Sequence, residues 1–321
     1  MNGLSIILPC YNKEKTIESS IITLENQTLV KNKRINVEII CIDDCSSDNT
    51  YKILTKLRNK YNNIQIYSND VNSSVFATRI KGINMATQPY IAFMDPDDHA
   101  DETFYEELYA AAISSGADIV QTPSVIKDYG YKKYEPAITW FSNMRDGEYE
   151  VSEKTFDKIV RGNWTTLWNR IFKRDKISKI AAYPPYYINF LEDMLIYLST
   201  VVISKKVCNV KTKGYYYYNL SNEVEHLSKP TDRLKGRAMP TSKVFQLLNS
   251  FLVESNNMKY YDNIVRFRNQ YIRLYSAEYS KSFNITTECF TNPYNQITIQ
   301  DRYNEITKIR NTYVELLKSL F

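Results

Sequence analysis

Three carboxylates, Asp95, Asp97 and Asp98, directly follow the apolar run Tyr90-Ile-Ala-Phe-Met94, with Pro96 between the first two. An apolar run of strand length that empties into such a turn puts hard oxygen ligands at the end of a buried strand. Mg²⁺ and Mn²⁺ take ligands of that kind, usually one or two carboxylates completed by a substrate's phosphates. Pro96 stiffens the turn that would carry them. The bland alternative is an acidic turn ahead of a helix, whose N-terminus welcomes negative charge. A second acidic pair, Asp43-Asp44, follows the apolar run at 37–42 and could bind a ligand or cap the helix after Asp48.

These carboxylates need elements to hold them. Apolar runs at 4–8, 37–42, 64–67, 90–94 and 118–121 read as strands. Between them lie segments of helical spacing. Ile17, Ile21 and Leu24 follow Asn12, a plausible cap; Ile53, Leu57 and Tyr61 share one face; 75–86 and 101–115 complete the set, the last stopped by Gly116. Such alternation implies parallel pairing with right-handed crossovers, hence a three-layer α/β domain over roughly the first 125 residues. Ligands of these sheets bind beyond the carboxyl ends of the strands. Residues 9–12, 43–44 and 95–98 all sit at such ends, so three polar loops could converge on one ligand. After Gly130 the alternation stops. A Tyr-, Trp- and Pro-rich stretch leads into a mostly helical region from about residue 229 to 321.

Composition narrows the class. The 321 residues are 43% hydrophobic and 24% charged, with 27 Tyr and only 8 Gly, which is globular usage with little room for flexible linkers. Five Cys without metal-type spacing fit a reducing cytosol. No signal peptide is evident, and the longest apolar stretch, 194–203, is half of what a membrane span requires. The formal charge of +5 is uneven: from residue 211 onward 16 Lys and Arg face 10 Asp and Glu, against 25 and 26 before it. That excess could favour an anionic membrane surface, or merely solvate helix faces. Nothing resembles a nucleic-acid module.

Read together, Ser5-Ile-Ile-Leu-Pro-Cys-Tyr11-Asn12, Ile42-Asp43-Asp44-Cys-Ser-Ser-Asp48-Asn-Thr50 and Asp95-Pro-Asp97-Asp98 resemble, in order, the three N-terminal signatures of glycosyltransferase family 2. Trp168-Asn-Arg-Ile-Phe-Lys-Arg174 is similar to its acceptor-domain segment, and Leu191-Glu192-Asp193-Met194 to its catalytic segment. Arg79 matches the Arg of the family's Ala-Arg-Asn segment, although Ile80 replaces the amide and the preceding turn glycine is missing. The resemblance covers about residues 4–218. It implies a GT-A fold, a Rossmann-like, mostly parallel sheet with helices on both faces. Residues 1–125 would be the nucleotide-sugar half, 126–228 the acceptor half and 229–321 a helical extension.

The implied activity is inverting transfer of a sugar from a nucleotide diphosphate donor, UDP-sugar favoured, to a hydroxyl of a glycan or lipid-linked glycan, as in bacterial surface-polysaccharide synthesis. Asp97 would hold Mn²⁺ or Mg²⁺, and Asp95 would face the ribose or the metal. Asp43 or Asp44, with Pro9, Tyr11 and Asn12, would hold base and ribose, Arg79 would contact the donor phosphates, and Asp193 would be the general base, with Glu192 the fallback. Trp164 and Trp168, one helical turn apart, could stack on an acceptor sugar or pack in the core. His226 could sit on a loop closing over the donor or on a plain surface loop. The expected location is cytoplasmic, with peripheral membrane contact through the basic C-terminal region. A sugar nucleotidyltransferase would open with a Gly-rich phosphate loop, which residues 9–12 lack. A silent nucleotide-sugar-binding partner of another transferase is the remaining alternative, and intact Asp97 and Asp193 speak against it.

Overall fold

The computed structural model describes residues 2–130, 133–137, 141, 144–160, 165–184, 186–220 and 243–269. In chain order the first part runs β1 (Gly3–Cys10), α1 (Ile17–Glu25), α2 (Thr28–Lys31), β2 (Asn36–Asp43), α3 (Thr50–Lys60), β3 (Ile64–Ser68), α4 (Val75–Met85), β4 (Tyr90–Phe93), β5 (His99–Ala100), α5 (Phe104–Ser115) and β6 (Ile119–Gln121). It continues with β7 (Val125–Asp128), β8 (Tyr134–Pro136), β9 (Gly147–Glu150), α6 (Glu153–Val160), β10 (Arg170–Lys173), α7 (Arg174–Ile177), a 3-10 turn at Ser178–Ala182, α8 (Glu192–Ile203), β11 (Lys206–Asn209) and β12 (Tyr216–Asn219).

The apolar runs pair as a doubly covered sheet should. Every residue of β1 is buried, and it lies between β2 and β4, parallel to both. Leu4, Ile6, Leu8 and Cys10 join the cluster that includes Ile17, Ile21 and Leu24 of α1 and Tyr105 and Leu108 of α5. On the other face α4 crosses Ile7 so closely that a Cβ at Gly82 would lie 2.4 Å from its Cγ2, which is why glycine stands there. Gly116 caps α5 in the left-handed conformation, φ 64°.

The sheet order is β3-β2-β1-β4-β10-β6-β11-β9, and a smaller sheet runs β5-β12-β7-β8. Here the structure departs from an unbroken parallel sheet. β10 inserts between β4 and β6, antiparallel to both, and β11 and β9 extend the far edge. The sheet therefore does not close within the first 125 residues. Two local readings are also corrected. Asn12 does not cap α1, which begins after Thr16, and α5 begins at Phe104 rather than at residue 101, because His99 and Ala100 first pair with β12.

The chain divides into two compact units, 1–225 and 226–321. Described residues of the second are helical at 243–254 and 261–269, with a 3-10 turn at Met258–Tyr260. Val244, Phe245, Leu248, Leu252, Tyr260 and Ile264 are buried, whereas Tyr261 is exposed. Among the described residues no helix is long and apolar enough to cross a membrane.

One buried carboxylate ties the sheet's start together. Glu38 of β2 accepts hydrogen bonds from Ser5 Oγ at 2.6 Å, Thr87 N–H at 2.7 Å, Thr87 Oγ1 at 2.9 Å and Gln65 Nε2 at 3.0 Å. Burial alone would raise its pKa, but the bonds from Ser5 and Thr87 outweigh it and hold the group below the usual value. A depressed carboxylate contributes stability above its unfolded pKa and loses it as pH falls through the folded one. Glu38→Ala leaves those donors without their acceptor, and denaturant melts at pH 7 are expected to show a loss of about 2–4 kcal/mol. The deficit shrinks at acid pH; an equal loss at pH 3 would contradict the assignment.

Candidate active site

The carboxyl ends of β2, β1 and β4 lie side by side, and their loops are fastened to one another. Asp44 N–H bonds Cys10 C=O at 2.8 Å. Asn12, left-handed at φ 51°, donates its N–H to Ser46 Oγ at 3.0 Å and accepts from Ser47 N–H at 2.9 Å. Thr16 Oγ1 donates to Pro96 C=O at 2.9 Å, and the Lys13 ammonium is paired with Asp97. Pro9 is buried within β1 opposite Ile42 and so shapes the strand end rather than offering a contact surface. Tyr11, the residue after β1, is exposed.

The two adjacent aspartates of the second loop have different lives. Asp44 Oδ1 accepts from Asn69 Nδ2 at 2.7 Å and Ser73 N–H at 2.8 Å, and Oδ2 accepts from Ser74 N–H at 3.1 Å. It is fully engaged in shaping the loop before α4. Asp43 Oδ2 takes Ser46 N–H at 3.2 Å, while Oδ1 is buried with no partner among the described residues. A buried acceptor without a donor is costly, so Asp43 is the one with an oxygen to offer a ligand.

α4 brings Arg79 inward. Its guanidinium bonds Asp95 Oδ1 at 2.9 Å and Glu192 Oε1 at 2.8 Å and also contacts Asp193 Oδ1. The side chain is 4% exposed, and its Nε is buried without a partner among the described residues. Ser74 sets the helix start: its φ of 85° and ψ of 157° are a backbone that a turn glycine adopts freely. Its hydroxyl donates to Tyr186 C=O and accepts from Ile188 N–H at 3.1 Å, fastening α4 to the segment before α8. The glycine absent from the sequence is thus replaced by a strained serine that repays the strain with hydrogen bonds.

Glu192 and Asp193 open α8, whose first turn follows left-handed Leu191. Burial, reinforced by Glu192 and opposed by Arg79, pushes Asp193 up to about 7. Burial also raises Asp95, again against Arg79. Asp98 is pushed well above the usual carboxylate range by burial and by Asp95 and Asp97. Its Oδ2 accepts from Tyr216 OH at 2.6 Å and its Oδ1 from Asn219 N–H at 2.8 Å, while the Tyr216 oxygen accepts Asp95 N–H at 3.2 Å.

That places the aromatics. Trp168 is 2% exposed and stacks on Tyr216 and Tyr218, centroids 4.8 and 5.4 Å away. It is packing beneath the acidic turn, which corrects its reading as a platform for an acceptor sugar. His99 stacks on Tyr217 at 4.4 Å. Trp164 and His226 lie outside the described residues. Lys13 and Tyr216, which touch the acidic turn, were missed as site residues because only the fold brings them there.

Among the described residues no group of three or more His, Cys, Asp and Glu converges as a metal site. Asp95 and Asp97 nevertheless fit a hard cation, since Mg²⁺ and Mn²⁺ are commonly held by one or two carboxylates with substrate phosphates and water completing the set. Both carboxylates already face positive charge, from Arg79 and Lys13.

Comparison with known proteins bears on this geometry. The chain is 29% identical over 226 residues to a poly(ribitol-phosphate) beta-glucosyltransferase of Bacillus spizizenii, a match that covers 70% of the chain and 33% of that protein. It is 29% identical to a cholesterol galactosyltransferase of Borreliella burgdorferi, over 67% of the chain and 59% of that protein. The chain thus spans about a third to three fifths of these relatives. The crystal structure of Staphylococcus aureus TarS 1-349 in complex with UDP-GlcNAc superposes with a TM-score of 0.58 at 17% identity, covering all of this chain and 90% of that one. The shared fold is GT-A with a C-terminal extension. Residues 5–176, more than half of the chain and including all three loops, match the family described as Glycosyl transferase family 2, and the chain belongs to that family.

Proposed function

We propose that this chain transfers a sugar, with inversion, from a UDP-sugar to a hydroxyl of a glycan or lipid-linked glycan in the synthesis of a bacterial surface polymer. One observation carries the reading: a single buried guanidinium joins Asp95 of the acidic turn to Asp193, a carboxylate that burial pushes up to about 7. A general base poised near neutral pH is what proton removal from an acceptor hydroxyl needs. Asp193 accepts that proton as the hydroxyl oxygen attacks the anomeric carbon and the bond to the nucleotide diphosphate breaks on the opposite face.

The other residues follow from their surroundings. The unpartnered Asp43 Oδ1 would receive a base N–H, for which uracil N3–H is suited, and the exposed ring of Tyr11 would lie over the base. Asp97 and Asp95 would hold Mn²⁺ or Mg²⁺, which when bound stabilises negative charge developing on the diphosphate. The names of the relatives, a beta-glucosyltransferase and a galactosyltransferase, and the UDP-GlcNAc bound to TarS support a UDP-sugar and a β product. A cytoplasmic protein touching the inner membrane face through its basic C-terminal third would meet such acceptors.

Calorimetry with UDP, GDP, CDP and dTDP, in Mn²⁺ and then in EDTA, tests the donor. UDP is expected to bind tightly only with metal, and Asp97→Asn to abolish the metal-dependent part. Preference for GDP, or tight binding unchanged by EDTA, would refute the respective element. Binding of UDP without turnover of any UDP-sugar, across a panel of glycan and lipid acceptors, would instead favour a silent nucleotide-sugar-binding partner.

A further inference from the structure

We infer that Lys13 is a tethered cation that competes with the divalent ion for Asp97 and neutralises the acidic turn when no ion is bound. The inference rests on reading Asp97 as a metal ligand. Its ground is an asymmetry between the two cations of the turn. Arg79 is buried and held by three carboxylates, whereas Lys13 has 31% of its side chain exposed and meets Asp97 through one ammonium on a flexible stem.

Everything around that ammonium is fixed. Lys13 N–H donates to Thr50 Oγ1 at 2.7 Å, and Thr50 in turn donates to Asp48 Oδ1 at 2.5 Å. Glu14 N–H reaches Asp48 Oδ2 at 3.0 Å, and Glu14 Oε2 accepts from Asn49 Nδ2 at 2.8 Å. Residues 12–14 are thus clamped onto the loop after β2, and Lys13 is aimed across at the loop after β4. On the far side Asn219 Nδ2 holds Asp97 C=O at 3.0 Å. Two fixed backbones bridged by an ammonium on a flexible four-carbon stem make an exchangeable contact, and a dication arriving at Asp97 must displace a charge already there.

The test is Mn²⁺ binding to the nucleotide-free protein, read from the electron paramagnetic resonance signal of the free ion. Lys13→Met is expected to bind Mn²⁺ about tenfold more tightly than the unaltered chain, because a like charge close to the ion is removed. Lys13→Arg keeps the charge and should match the unaltered chain. The double variant Lys13→Met, Asp97→Asn should lose the gain, which locates the ion at Asp97. Equal affinities for Lys13→Met and the unaltered chain, or a gain that survives loss of Asp97, would overturn the inference; thermal melts check that the substitution at half-buried Lys13 leaves the fold intact. Failure of the donor reading has a different signature, the unaltered chain binding no UDP in the presence of Mn²⁺.

Discussion

Asp193→Asn is expected to lower sugar transfer by about 10²–10⁴-fold while UDP binds as before, because general-base help acts in the transition state and not on the bound donor. Asn matches the carboxylate in shape but accepts no proton. The wild-type pH profile supplies the independent check. With Asp193 pushed up to about 7, only its ionised form can act, so kcat/KM should rise through pH about 7 and the Asn variant should lack that limb. Linkage fixes the sign of the stability effect. A carboxyl whose folded pKa exceeds its unfolded value favours the native state when protonated, and the protein loses that contribution as pH rises from the unfolded pKa to the folded one. The Asn variant should therefore melt no lower than wild type at pH 8. Undiminished transfer by Asp193→Asn would pass the role to Glu192, which shares the same guanidinium; a variant that is inactive because it is unfolded would be seen in the melt.

What could be read from the chain followed from local pattern. The run at 4–8 forms β1 because a strand buried on both faces tolerates no polar position except one paired internally, as Ser5 is with Glu38. The acidic turn was visible because an apolar strand ends abruptly in carboxylates. Pairing was not visible. Arg170–Lys173 is too short to announce that it would run antiparallel between β4 and β6, and Arg170, buried with Nε on Gln121 Oε1 at 2.9 Å and its guanidinium over the Tyr197 ring, looks like a surface residue in sequence. Asp43 and Asp44 are alike as letters, and only the donors at Asn69, Ser73 and Ser74 separate a loop-shaping carboxylate from one with an oxygen to spare. Trp168 could be placed on a sugar or in the core until Tyr216 and Tyr218 covered it. Lys13 precedes Asp97 by 84 positions, a separation on which no periodicity bears.

Arg79→Met should be the most damaging single change in the first unit. It removes one cation from Asp95, Glu192 and Asp193 at once, leaving three carboxylates beside an apolar side chain. Breaking one side of a buried ion pair costs about 3–5 kcal/mol, and here the like charges left behind repel one another as well. Arg79 opposes the upward push on Asp193 and on Asp95, so its loss drives both higher. The activity limb expected near pH 7 for wild type should then move to higher pH, a shift that mere loss of packing would not produce. Arg79→Lys separates charge from shape. It keeps a positive charge against the three carboxylates but cannot reach Asp95 and Glu192 with the two arms of a planar fork. It should fold, hold the limb closer to its wild-type position than Met does, and still transfer slowly, because Asp95 and Asp193 are no longer fixed relative to each other. If Arg79→Lys were fully active, charge alone would suffice and the fork would have no part in positioning. An unmoved pH limb in Arg79→Met would mean that the guanidinium does not set the proton affinity of Asp193, and the electrostatic link between donor turn and base would have to be abandoned.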